Sequence, residues 1–137
     1  MSEQNKELVR RVVEEIYNKG NLAAADELSA SDLVIHLTSQ EIRGRDGAKQ
    51  YVAALRAAFP DLHITIEDQI AEGDRVVTRW TVRGTHAGEF HGISPTGKQV
   101  QVAGTDIDRI ADGEVVECWS HLDELGMMQQ LGVIPVA

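Results

Sequence analysis

Cysteine is almost missing from this chain. Cys118 is the only one, so no internal disulfide can form and packing has to hold the fold together. Basic residues are outnumbered, 13 against 22 acids, for a net charge of −9. That balance gives no electrostatic footprint for nucleic acid or for an anionic membrane surface. Long apolar runs are absent too, and nothing approaches the length of a membrane span. The opening segment, Met1 to Tyr17, is polar and amphipathic and lacks the apolar centre of a secretory leader. No Pro/Gly/Ser-rich linker, internal repeat or low-complexity stretch divides the 137 residues. The expectation is one soluble domain, residues 1–137, in the cytoplasm and large enough for a real hydrophobic core.

What is present changes its period part-way along. From Glu3 to Asn18, Leu8, Val12, Val13, Ile16 and Tyr17 recur at helical spacing, and Gly20 suits the left-handed stop after Lys19. Asn21 is placed to cap a second short helix through Leu28. Leu33 to Leu37 reads as a strand. Arg45-Asp46-Gly47 opens a third helix with Tyr51, Val52, Leu55 and Phe59 as its stripe, and Pro60 ends it. Beyond Pro60 the pattern alternates. Strands are expected over Leu62–Glu67, Arg75–Thr85, Gln99–Ile110 and Glu114–Leu122, followed by a terminal helical turn. Helices first and consecutive strands after indicate an α+β domain, with a strongly curved, mainly antiparallel sheet closing over a helix and leaving a pocket at its centre.

The turn between the last two strands decides which side chains share a face. Ala111-Asp112-Gly113 fits a three-residue hairpin loop with glycine in the left-handed position. That loop pairs Ile110 with Glu114, Asp108 with Val116 and Asp106 with Cys118. Asp106, Asp108, Cys118 and Ser120 then share one face, and Ile107, Arg109, Glu117 and Trp119 the other. A two-residue Asp-Gly turn would instead set Asp106 beside Trp119.

The stretch Gly84–Gly132 carries the chemistry. Asp106 is the first candidate for a general base, because a carboxylate facing an apolar pocket is shielded from water and becomes more basic. Asp108 lies on the same face, nearer the turn, and two carboxylates this close can share a proton. His86, at a strand end, is a candidate for polarising a carbonyl. His91 reads as a lid residue among glycines, His36 as a pocket-lining strand residue, and His121 as an outward one. Trp80 and Phe90 offer flat apolar walls for a ligand. Two motifs fail. Gly92–Lys98 has the spacing of a phosphate-binding loop, yet Gln99 replaces the metal-binding hydroxyl and a strand follows where a helix should. The histidines and acids lack a zinc-type array, so no metal is expected, and Cys118 reads as a small buried side chain.

The series Gly84-Thr85-His86, Gly88, Phe90, Gly92, Pro95-Thr96-Gly97-Lys98, Asp106, Arg109, Asp112-Gly113, Val116-Glu117, Trp119, Asp123 and Gln130-Leu131-Gly132, with Asn18-Lys19-Gly20-Asn21 near the start, resembles the SnoaL-like polyketide cyclases of the nuclear transport factor 2-like superfamily. The resemblance covers nearly the whole chain. It implies a cone-shaped α+β barrel with an apolar pocket, often dimerised through the outer face of the sheet. It also implies intramolecular aldol ring closure in an aromatic polyketide intermediate, with neither metal nor organic cofactor. Carried over by position, the family's catalytic aspartate falls on Ser120 and an assisting histidine falls on Asp106. Either the acid has moved strand or the reaction differs.

Two functions of different class follow. One is a cofactor-free enzyme on a hydrophobic carbonyl compound, in which Asp106 removes a proton, His86 or Ser120 steadies the enolate oxygen, and His36, Trp80, Phe90 and Asp108 contact substrate. A carboxylate base with an oxyanion hole suffices for such chemistry, as in ketosteroid isomerase; isomerase or epoxide-hydrolase reactions would use the same parts. The other is a dimeric module that binds a small apolar ligand without turnover. The partners expected are a small hydrophobic molecule and a second copy of the chain.

Overall fold

The computed structural model describes residues 2–135. Helix α1 (Ser2–Arg11) runs unbroken into a π-helical stretch, Val12–Asn18, where the Lys19 amide reaches back five residues to the Glu14 carbonyl. The sequence shows a single helix here because its apolar spacing suits either winding. Wider turns of this kind are rare and recur at functional sites, and this one carries Val13 and Tyr17 into the wall of a cavity. Gly20, at φ +71, ends it as expected. Asn21 does not cap through its side chain; its carbonyl instead accepts from the Ala24 amide in a 3-10 turn.

Next come α2 (Ala25–Leu28), β1 (Ser29–His36), the edge strand β2 (Glu41–Arg43) and α3 (Gly44–Ala58). No apolar alternation announced β2. The four remaining strands are β3 (His63–Glu72), β4 (Arg75–Thr85), β5 (Gln99–Ala111) and β6 (Glu114–Leu122). Helix α4 (Glu124–Leu131) closes the chain; the Asp123 side chain caps its start and Gly132, at φ +81, ends it.

The strands form one sheet in the order β2-β1-β6-β5-β4-β3. Only β1 and β6 run parallel; the other neighbours are antiparallel. The α+β architecture and curved sheet are those expected, but the sheet stays open between its β2 and β3 edges and does not close into a barrel. The core lies between sheet and helices. Ile16, Leu28 and Val52 form one cluster, Leu33, Ile35, Ala48, Val115 and Cys118 another, and Phe59, Leu62, Val100, Val102, Met127 and Leu131 a third under α4. Each fully buried leucine or valine contributes about 1.5–3 kcal/mol.

The β5–β6 hairpin departs from the expected register. Its loop is the two-residue Asp112-Gly113, with both residues at positive φ and Ala111 paired with Glu114. This is the chemistry a type I′ turn requires. Val116 is then passed over, because Ile110 pairs with Val115 and Arg109 with Glu117. The bulge shifts the ladder by one residue, so Asp106 lies opposite Ser120 and Asp108 opposite Cys118. A tight turn alone would have reversed the faces. The bulge restores them, and the expected face is reached through a different pairing.

Candidate functional site

A cavity of about 520 Å³ lies between the helices and the sheet. Tyr17 of the π-helical stretch, Tyr51 and Leu55 of α3, Trp80 and Val82 of β4, and Met127 of α4 supply much of its wall. These residues meet because α3 turns its stripe toward the sheet, and because β4 lies along β5 with Trp80 directly opposite Gly104. A Cβ on Gly104 would come within 2.3 Å of the Trp80 ring, so the missing side chain makes room for the indole.

Asp106 and Ser120 are both in this wall. The Ser120 hydroxyl donates to Asp106 Oδ1 at 2.7 Å. Burial pushes the Asp106 carboxyl above its ordinary value, and the Ser120 hydrogen bond works against that shift. Trp80 Nε1 lies near enough to ease the same charge, yet it forms no full hydrogen bond and is a buried donor without a partner. Asp106 therefore combines access from the cavity with a poorly hydrated setting, as a general base requires.

Asp108 is not in this wall. It sits deeper, 7 % exposed, beside a smaller cavity of about 60 Å³ that it shares with Asp106, Thr78, Trp80 and Cys118. Burial, and then the Asp106 charge, push its carboxyl up to about 8. Asp108, expected among the residues lining the pocket, instead lies beside the smaller cavity, because two residues along a strand move a side chain about 7 Å along the sheet.

Two histidines also lie elsewhere than expected. His86 is fully buried and outside the cavity wall. Its Nδ1 accepts from the Thr96 amide at 3.2 Å, and its backbone bonds Lys98 and Gly97. It thus anchors the loop after β4 and packs behind the cavity-lining Phe59 and Phe90 without lining the cavity itself. His36 alternates away from the cavity-lining Ile35. It stacks on Trp119 with ring centres 5.4 Å apart and bonds Glu117 Oε2 through Nε2 at 2.6 Å, on the outer face. Trp80 and Phe90 do line the cavity, as does His91, whose strained φ of 49 lies in the loop that covers one side.

Sequence reading missed Tyr17 and Tyr51 as site residues, because both fit the apolar stripe of a helix. Both line the cavity, and among the described residues neither phenol oxygen has a side-chain hydrogen bond. Burial raises both phenols, further helped by nearby Asp106, so they remain O–H donors. The only grouping of metal-ligating side-chain types among the described residues is Asp106, Asp108 and Cys118, within 4.8 Å of one another. It contains no imidazole and no second thiol, unlike a zinc set, and its Asp106 accepts the Ser120 hydroxyl at 2.7 Å.

Comparison with known proteins is consistent along the chain. Residues 7–131 match the SnoaL-like polyketide cyclase family. The aklanonic acid methyl ester cyclase DnrD of Streptomyces peucetius is 29 % identical over 136 residues, covering 92 % of this chain and 89 % of that protein. A solved SnoaL-like structure from Jannaschia sp. CCS1 superposes with a TM-score of 0.90 at 28 % identity, covering 98 % and 95 % of the two chains. IdmH of Streptomyces antibioticus gives 0.83 at 34 % identity, covering 94 % and 99 %.

Proposed function

The chain belongs to the SnoaL-like polyketide cyclase family, and on that premise we propose that it closes a ring in a hydrophobic carbonyl substrate by cofactor-free acid–base chemistry, with Asp106 as the base. The observation that carries this reading is the Asp106 carboxyl in the wall of a largely apolar cavity, held by Ser120 at 2.7 Å. Asp106 removes a proton from carbon next to a substrate carbonyl. The resulting enolate carbon attacks a second carbonyl of the same molecule, and the new alkoxide takes the proton back. Atoms and charge balance without a further reactant.

Tyr17 and Tyr51 are the donors best suited to the enolate oxygen, since both side chains line the cavity and both phenols remain protonated. The role expected of His86 passes to them. Ser120, where the family carries its aspartate, orients the Asp106 carboxyl through its hydrogen bond. Apolar walls fold a flexible chain toward its reactive shape, which by itself lowers the barrier considerably.

The relative DnrD is named for aklanonic acid methyl ester, which is therefore the first compound to try. Enzyme and compound are incubated in D₂O, with ring closure and deuterium uptake at the enolisable carbon followed by NMR. Wild-type protein is expected to catalyse both. Asp106→Asn, nearly isosteric, is expected to bind the compound and lose turnover by at least about 10²-fold, the usual range for a general base. Tight binding by wild type without exchange or closure of this or related carbonyl compounds would favour the non-catalytic carrier instead.

A further inference from the structure

Asp106 and Asp108 are consecutive inward residues of β5, grouped with the Cys118 sulfur within 4.8 Å. Among the described residues, no lysine, arginine or histidine forms an ion pair with either carboxyl. Two carboxylates this close, in a poorly hydrated setting and without a cation, do not both ionise. The pair therefore keeps a proton at neutral pH.

Its two halves are unequal. Asp106 receives the Ser120 hydroxyl at 2.7 Å and opens on the large cavity. Asp108 faces the Cys118 thiol across the ladder and only the small chamber behind. A hydroxyl stabilises a carboxylate better than a thiol does, so charge rests on Asp106 and the proton on Asp108. We propose that Asp108 is a positioning residue: it holds the proton of a one-proton dyad and so keeps Asp106 as the single ionised base at the cavity wall. This rests on the reading of Asp106 as the base.

The surrounding groups leave that arrangement intact. Tyr17 from the π-helical stretch, Tyr51 from α3 and Cys118 from β6 all face the pair, and burial keeps each of them protonated. Lys49, at the edge of the small chamber, is engaged by Asp26 at 2.7 Å. Arg10 of α1 ends on Gln69, which in turn meets Thr78. His121 of β6 only weakly favours the Asp106 charge, and Glu124 of α4 adds a further negative charge near Tyr51. Burial and the Asp106 charge acting together on Asp108 agree with the assignment. The chamber, about 60 Å³ and walled by both carboxyls and Thr78, is roomy enough for an internal water to link them.

The test is a pH titration of the full chain carrying ¹³C-carboxyl aspartate, read by NMR without any ligand, on wild type, Asp108→Asn and Asp106→Asn. Wild type is expected to show one aspartate step displaced several units above the ordinary carboxylate range. Asp108→Asn should abolish it and leave Asp106 titrating lower. Asp106→Asn should retain an elevated step, moved down because the neighbouring charge is gone. The pH profile of deuterium exchange into aklanonic acid methyl ester should lose its inflection at the upper step in Asp108→Asn. The proposal is overturned if both carboxyls titrate near their ordinary values, if the high step survives in Asp108→Asn, or if the purified protein carries one metal ion per chain at this pair. Should Asp108→Asn fail to fold, an unmoved step in Asp106→Asn overturns it equally. A wild-type protein that shows the high step yet exchanges no carbonyl compound sinks the cyclase reading and leaves the dyad standing.

Discussion

A carboxyl that keeps its proton on folding ties stability to pH. Burial and then the Asp106 charge push the Asp108 carboxyl up to about 8 in the folded chain, and it returns to an ordinary carboxylate value once the chain unfolds. Between those values the folded state binds more protons than the unfolded one, so stability is fullest below the unfolded value and falls as pH rises toward 8. The slope for one proton is at most about 1.4 kcal/mol per pH unit. Urea unfolding at a series of pH values should show this decline, and Asp108→Asn should flatten it while gaining stability near pH 8. A flat wild-type profile across that window would contradict the assignment. Placing charged or half-charged groups where a core could be apolar costs stability, a cost common at sites that perform chemistry.

At the scale of elements, the site depends on two departures from regular winding. The π-helical stretch presents Tyr17 to the cavity, and the Val116 bulge sets Asp106 opposite Ser120. A third feature is the gap at Gly104, which β5 leaves for the indole on β4. Gly104→Ala should push Trp80 toward the cavity and cost about 1–3 kcal/mol by overpacking. Thermal unfolding would register the loss, and weakened binding of an aromatic ligand would register the narrowed cavity. Unchanged affinity with reduced stability would mean that the indole yields in another direction.

For the whole molecule, the outer face of the sheet is the notable surface. Arg75 lies over the Trp119 ring at 5.4 Å, His36 stacks on its plane, and Arg109 bonds Glu117 at 3.1 Å. Ile107 beside them is 37 % exposed. Tryptophan and arginine together on a partly apolar face are typical of interfaces. Light scattering at micromolar concentration is expected to give twice the chain mass, and Trp119→Asp to shift it toward one. A monomer in both would remove the dimer.

The order of elements was legible in the residues themselves. Helical spacing before Pro60 and alternation after it are local properties, and local sterics and burial set them without reference to distant partners. The same alternation located Asp106 and Asp108 on one face of β5, and residue type and position singled out Asp106. Ser120, expected on that face through a three-residue loop, reaches it through a two-residue turn and a bulge. Only the folded chain decided how far along that face each one sits. A bulge adds a residue without any signal in composition, so the pairing of Asp106 with Ser120 and Asp108 with Cys118 appears only in the folded sheet, as does the place of Asp108 clear of the large cavity. The outward turn of His36 and the burial of His86 are likewise set by what packs across from them, Trp119 in one case and the Thr96 loop in the other. Tyr17 and Tyr51 are indistinguishable from core residues in a helical stripe. A cavity exists only where the helices and the curved sheet fail to meet, and that gap is a property of their packing, which no single segment encodes.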